Sequence, residues 1–449
     1  MKRIVERFWM CAALGTLVAA QPAAGQAPQA AAVVFENVRV FNGRSSTLSP
    51  PSNVLVLGNT IKSVSQAPIA APPSPVIRID GGGRTLMPGL IDAHTHIMFA
   101  AVPQHLLLTS DAAFINVAAT KAAADMLMRG FTSVRDMGGP VFGLKRGIDA
   151  GLAVGPRIWP SGAFISQTGG HGDFRLPNEL PSAPGSYSFS ERVNAAAIAD
   201  SPDAVRQRAR EQLALGASQV KLMAGGGVAS TYDPLDATQY TVPELRAAVE
   251  AAENWGTYVT VHAYTPRAVQ QAIQAGVRCI EHGQLLDEAT AKLMADSGVW
   301  WSLQAFVEDM APSFPEGSPN RAKVREMVKG TDYAYALAKK YKIKTAWGSD
   351  ILFSAELAAK QGAALAKMVR WYTPAEALTM ATAGNAELLA LSGKRSPYAG
   401  RVGVVEEGAL ADLLLVDGNP LQDINLVADP GRNFLVIMKD GKLYKNLLR

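Results

Sequence analysis

From Val33 to about Arg84, short β-type runs alternate with Gly, Asn and Pro breaks; Val-Arg-Val-Phe and Asn-Val-Leu-Val-Leu are two of them. Runs of this kind predict small strands joined by turns. The end of the chain reads the same way. Arg401 to Val405, Asp412 to Val416, Leu435 to Lys439 and Lys442 to Tyr444 are expected strands. Asp417-Gly418-Asn419-Pro420 and Asp440-Gly441 are expected turns between them. Two β-rich ends around a middle of different pattern predict one composite β domain, from residues 27–86 and 396–449.

The middle, residues 87–395, alternates strand and helix. Strands are expected at Thr85 to Ala93, Thr132 to Asp136, Arg157 to Ser161 and Gln219 to Met223. Four more are expected at Tyr258 to His262, Arg278 to Glu281, Trp300 to Gln304 and Lys344 to Trp347. Helical patterns lie between them, at Ala112 to Arg129, Pro202 to Leu215, Pro243 to Asn254, Pro266 to Ala275, Glu288 to Ser297 and Ala322 to Lys340. Several begin at Pro and several stop at Gly, as helix ends do. Eight strands alternating with helices predict an α/β fold, a (β/α)8 barrel. An open doubly wound sheet is the rival, but no Gly-rich dinucleotide turn follows the first strand. One connection breaks the regularity: Gln167 to Asn194 is long and rich in Gly, Pro and Ser, the character of a functional lid.

The first residues stand apart. Lys2, Arg3 and Arg7 precede an apolar run from Phe8 to Ala20, followed by Ala23, Ala24 and Gly25. This layout predicts a signal peptide over residues 1–26 and a secreted or periplasmic protein. The run falls short of the roughly 20 residues that span a bilayer, so no membrane association is expected after its removal. Cys11 leaves with it, and Cys279 alone excludes an intrachain disulfide. A net charge of +4 spread over 449 residues gives nucleic-acid binding no support. The chain has only six histidines, so their positions are informative.

In a barrel of this kind the site forms at the C-terminal ends of the strands. Strand one ends Asp92-Ala93-His94-Thr95-His96, and alternation puts His94 and His96 on one side. Strand four carries Lys221, strand five ends at His262, and strand six ends Glu281-His282. Gly348-Ser349-Asp350 follows strand eight. Imidazoles and carboxylates together suit a divalent metal such as Zn²⁺. Taken singly, each residue has a plainer role. A strand-end His is more often hydrogen-bonded structure, and Asp350 could cap a helix. Lys221 in an apolar strand is costly unless it has a partner. The joint pattern is what the plain roles leave unexplained.

His94-Thr95-His96, Lys221, His262, His282 and Asp350 resemble the ligand set of the amidohydrolase superfamily. Met87-Pro88-Gly89-Leu90-Ile91-Asp92-Ala93-His94 and Gly408-Ala409-Leu410-Ala411-Asp412-Leu413 are similar to its flanking motifs. Within it the chain looks most like imidazolonepropionase-like hydrolases, which include Xaa-Pro dipeptidases and ochratoxin-degrading enzymes. The resemblance implies two divalent metal ions, most simply Zn²⁺, and a Lys221 carboxylated by CO₂ that bridges them. His94, His96 and Asp350 would hold one ion, and His262 and His282 the other. Asp350 would accept a proton from water and pass it to the leaving amine.

The deaminase branch shares the His-X-His pair but usually lacks the lysine and has an acid soon after the fifth-strand histidine. Here Lys221 is present, and Ala263-Tyr264-Thr265-Pro266-Arg267 follows His262 without an acid. His171 lies in Gly169-Gly170-His171-Gly172-Asp173 and is an expected substrate contact; in related hydrolases a histidine in such a loop faces the metal centre. His105, on an apolar stretch, is expected to be structural. Phe99, Tyr232, Tyr264, Trp300, Trp301 and Phe306 near the mouth suggest a bulky apolar group, although some must fill the wall. Tyr232 and Tyr264 are counted as substrate-binding. The expectation is therefore a binuclear amidohydrolase cleaving the C–N bond of a dipeptide or N-acyl amino acid, ochratoxin A included. A homo-oligomer is expected. The alternatives are a cyclic-amide hydrolase and a non-catalytic periplasmic binding protein.

Overall fold

The computed structural model describes residues 32–70, 75–183, 185–230 and 232–448; the expected signal peptide lies outside them. Five strands come first: β1 (Ala32–Val40), β2 (Pro51–Leu57), β3 (Thr60–Ser65), β4 (Val76–Asp80) and β5 (Thr85–Pro88). Ten follow in the middle. They are β6 (Leu90–Thr95), β7 (Phe131–Asp136), β8 (Arg157–Pro160), β9 (Phe164–Ser166) and β10 (Ala196–Ile198), then β11 (Val220–Met223), β12 (Val259–Ala263), β13 (Cys279–His282), β14 (Trp300–Leu303) and β15 (Thr345–Trp347). The chain closes with β16 (Leu413–Val416), β17 (Phe434–Lys439) and β18 (Lys442–Asn446).

The first and last groups form one mixed sheet in the order β18-β17-β16-β5-β1-β2-β3, with β4 parallel to β1. Its central joint pairs the two chain ends, Thr85 to Pro88 running antiparallel to Val416 to Leu413. The middle strands are all parallel, in two groups: β10-β9-β11-β12-β13-β14-β15 and β6-β7-β8. Side chains stitch the groups together at both joints. Asn385 Nδ2 donates to the carbonyls of Ile91 (2.7 Å) and Trp347 (2.8 Å). Gln219 Nε2 donates to those of Asp136 (3.3 Å) and Trp159 (3.0 Å). The fold is thus mixed α/β, as expected.

Three details differ from the expectation. The first expected strand is two: β5 belongs to the mixed sheet and β6 to a parallel group. Gly89 separates them where a Cβ would come within 2.0 Å of the Thr132 hydroxyl. The third expected strand, Arg157 to Ser161, is found as β8, but an unexpected strand, β9, follows it beyond Gly162, whose φ is +73°. Arg401 to Val405 forms no strand, because Gly403 takes φ +74° and interrupts the extended run.

Helix ends follow local chemistry. Ser201 caps Pro202–Leu215 through the Ala204 N–H, and Gly216 ends that helix in the left-handed region. The last long helix starts three residues earlier than expected, at Pro319, because the Ser318 side chain caps it.

A buried ion pair joins the mixed sheet to the parallel one. Arg157 on β8 donates to both oxygens of Asp412, at 3.0 and 3.3 Å, and to Asp440 at 2.7 Å. Asp412 has almost no exposed surface. Arg157→Met is expected to strand that carboxylate and cost about 3 to 5 kcal/mol. A lowered midpoint in denaturant titration checks it; an unchanged midpoint assigns the pair no stabilising role.

Candidate active site

The ends of β6 and β15 meet at one point. Asp92 ties them, accepting the N–H groups of His94 and Ser349, each at 3.0 Å. The Asp350 N–H then donates to the His94 carbonyl at 2.9 Å. Gly348 permits the approach, since a Cβ there would lie 2.4 Å from that of His94. Asp350 sits at φ +48° and His282 at φ +75°. Left-handed backbone costs non-glycine residues about 1 to 3 kcal/mol, and it concentrates at functional sites. Asp350 is no helix cap, for Ser354 caps the helix that follows.

The orientation of the imidazoles is set from behind. His94 Nδ1 lies 2.8 Å from Glu281 Oε2, and His96 Nδ1 lies 3.0 Å from the Gly138 carbonyl. Both partners are acceptors, so both Nδ1 atoms carry hydrogen and the two Nε2 atoms are turned away from those partners. Those two Nε2 atoms face each other at 3.3 Å and face Asp350 Oδ1 at 3.3 and 3.4 Å. Two ring nitrogens and a carboxylate turned on one point fit a cation. Donor atoms of His94, His282 and Asp350 lie within 4.8 Å of one another, a His-His-Asp cluster able to hold a metal.

His282 Nδ1 is 2.7 Å from Gln304 Oε1, which leaves its Nε2 free; His262 Nε2 is 2.9 Å from the Gly226 carbonyl, which leaves its Nδ1. The rings of His262 and His282 meet at 4.5 Å. Lys221 lies on β11, 1% exposed. Burial lowers the pKa of its ammonium to about 8. Burial also lowers His94 to about 4 and His282 to about 3, so both rings are neutral at pH 7. For Asp350, burial acts upward, but His94, His96 and His282 outweigh it and hold its carboxyl well below the usual range.

Sequence reasoning missed the support beneath. Arg135 Nη2 donates to Glu281 Oε1 at 2.7 Å, and Arg135 Nε to the Ala93 carbonyl at 2.6 Å. The Thr260 hydroxyl also reaches Glu281. Neither charged side chain of the pair is exposed. Burial alone would raise Glu281, but Arg135 and His94 bring it well below its ordinary value. An arginine inside the strand run Phe-Thr-Ser-Val-Arg was the available signal.

Above the cluster opens a cavity of about 800 Å³. His94, His96, Lys221, His262, His282 and Asp350 all line it. His171 and Tyr264 also line it. The connection from Gln167 to Asn194 forms a wall through Phe174, Phe189 and Val193. Tyr232 is not brought to the cavity. Its hydroxyl donates to the Arg175 carbonyl at 2.7 Å and braces that wall from outside. Phe99 and Phe306 line the cavity, whereas Trp300 and Trp301 do not. Trp301 instead donates Nε1–H to the His282 carbonyl at 2.6 Å. His105 is exposed on a short helix.

A strand-end His-His-Asp cluster of this kind, on parallel strands with helical connections, could hold a metal ion. The chain belongs to the Amidohydrolase family, which it matches over residues 85–444. It is 32% identical to the ochratoxinase of Aspergillus niger over 375 residues, 80% of this chain and 75% of the relative. A prolidase structure bound to N-methylphosphonate-L-proline is 36% identical, with TM-score 0.84 over 92% of this chain and all of that one. The A. niger ochratoxinase structure superposes with TM-score 0.80 at 28% identity, covering 93% and 96%. A Xaa-Pro dipeptidase with bound methionine gives TM-score 0.79 at 27% identity, covering 93% and 100%. The protein is accordingly a hydrolase acting on carbon–nitrogen bonds, not a binding protein.

Proposed function

We propose that this enzyme is a binuclear metal amidohydrolase cleaving the amide of a dipeptide or N-acyl amino acid that carries bulky apolar groups. One observation carries the reading: the inward-turned donors lie between two aromatic clusters. Phe99 stacks on His96 at 6.2 Å and continues edge-to-face to Phe164 and Phe174. On the other flank Tyr264 and Phe306 meet His282 at 5.2 and 6.3 Å. An amide at the centre would place an apolar group on each side. Ochratoxin A, cleaved to ochratoxin alpha and phenylalanine, has this shape.

The two parallel sheets read together as a (β/α)8 barrel, with the mixed sheet as its composite domain. His94, His96 and Asp350 would hold one ion, His262 and His282 the other, and carboxylated Lys221 both. Bound zinc would acidify water and polarise the scissile carbonyl. The rest belongs to the chain. The Asp350 carboxylate takes a proton from the attacking water and delivers it to the leaving nitrogen. His171 Nε2 contacts the substrate carbonyl or carboxylate, Tyr264 packs on the apolar group, and the phenylalanine walls exclude bulk water.

The test is a hydrolysis panel with zinc-loaded protein: Xaa-Pro dipeptides, N-acyl amino acids, ochratoxin A and cyclic amides. Release of amine from the linear amides is expected, with two metal ions per chain by elemental analysis. Chelation should remove ions and activity together. Turnover confined to cyclic amides overturns the substrate reading, and full activity of metal-free protein overturns the metal reading. The first 26 residues are read as an export signal, which a mature protein beginning near Gln26 would support.

A further inference from the structure

His171 is far better held than a glycine-flanked loop residue requires. Its Nδ1 lies 2.7 Å from Ser230 Oγ and 3.7 Å from Asp233 Oδ2. Its ring stacks on His262 with centroids 4.0 Å apart and planes at 25°. Its backbone N–H donates to Gln239 Oε1 at 3.0 Å, and Gln239 Nε2 reaches Asp233 Oδ2 at 3.5 Å. Gly227 forms the floor beneath the ring, since a Cβ there would lie 2.0 Å from Nδ1.

The seat is itself clamped. Lys323, on the helix Pro319–Lys340, donates to the carbonyls of Gly227, Ser230 and Asp233 at 3.1, 3.2 and 2.6 Å. Asn320 donates to the Ser230 carbonyl at 3.3 Å. Asp233 is 2% exposed and accepts the Gly227 N–H at 2.6 Å. An asparagine would satisfy that N–H without burying a charge. A buried carboxylate is costly unless something offsets it; besides the Lys323 ammonium and the Gln239 amide, the side chain it faces across the seat is the His171 imidazole, 3.7 Å away.

We infer that Asp233, with Ser230, is a positioning residue that fixes the His171 ring with Nδ1 in the seat and Nε2 toward the reacting amide. The inference rests on the proposed contact of His171 with substrate. Asp233 touches neither substrate nor the cluster of donors, and it acts only through His171.

The experiment compares wild type, Asp233→Asn, His171→Ala and the double variant, loaded with zinc and assayed on ochratoxin A and N-benzoyl-L-phenylalanine. Asp233→Asn is expected to lower kcat about 10- to 100-fold, the range for outer partners that orient active-site imidazoles. KM, metal content and melting temperature should stay near wild type. The double variant should be no slower than His171→Ala, because the two losses are one loss. A crystal structure of Asp233→Asn should show the His171 ring displaced from its stack on His262. Ser230→Ala, which removes one oxygen, gives the same comparison if Asp233→Asn folds poorly. Additive losses, or a ring that stays in place in the variant structure, overturn the inference while leaving the substrate contact standing. Wild-type kinetics in His171→Ala overturn that contact, and the inference with it.

Discussion

Replacing Lys221 with alanine is expected to strip bound metal and abolish hydrolysis together. Lys221 stands on β11 among the donors, 1% exposed, and its side chain makes no hydrogen bond among the described residues. A buried ammonium without a close partner is unfavourable, so the position is unexplained as packing. Burial brings its pKa from 10.5 to about 8. The neutral amine, the form that reacts with CO₂, is therefore more abundant near pH 7 by a factor of roughly 10². As a carbamate the side chain would change from cation to anion and, on the proposed reading, would be a ligand for both ions. Its loss should lower kcat/KM by roughly 10³-fold or more, since outer partners alone cost 10- to 100-fold. Short carboxylic acids added to the variant should restore part of the rate. Lys221→Met, which keeps most of the volume, separates loss of the group from loss of the fold. Full activity in either variant rules out the bridging lysine.

Asp350→Asn is expected to keep the fold and to lower kcat by about 10² to 10⁴-fold, the span typical of acid–base groups. Asparagine keeps an oxygen near the place where Oδ1 faces the Nε2 atoms of His94 and His96. It cannot take the proton of the attacking water. The decisive comparison is therefore kcat against metal content. A large loss of kcat with two ions still bound supports the proton role. A loss that merely follows the loss of metal reduces Asp350 to a ligand.

The strand ends were legible because the chemistry is local there: an apolar run stops and His or Asp stands at or just past its end, while Lys221 interrupts the apolar strand β11 from within. Caps such as Ser201 and Gly216 placed helix boundaries for the same reason, since each acts within one turn. What stayed hidden depends on distant partners. The Arg135–Glu281 pair spans 146 positions, so neither side chain announces the other. Asp233 and Lys323 are 90 positions apart. Tyr232 was placed at the mouth because it follows a strand, but its hydroxyl found the Arg175 carbonyl outside the cavity. The breaks at Gly89 and Gly162 answer to Thr132 and to Phe142 and Gln212, contacts that exist only after folding.

The joint between β5 and β16 also sets a clock on biosynthesis. Thr85 donates its hydroxyl to the Gly418 carbonyl across 333 positions. At about 5 to 20 residues per second, translation leaves β5 waiting about 15 to 70 s for its neighbour. During that interval a nascent chain carries an open strand edge, the kind of template on which aggregates grow. β16 completes the sheet that β1 to β5 began, so premature termination anywhere before β16 yields a chain with a permanently sticky edge. Expression yield should therefore fall more steeply for C-terminal truncations than the few residues removed suggest.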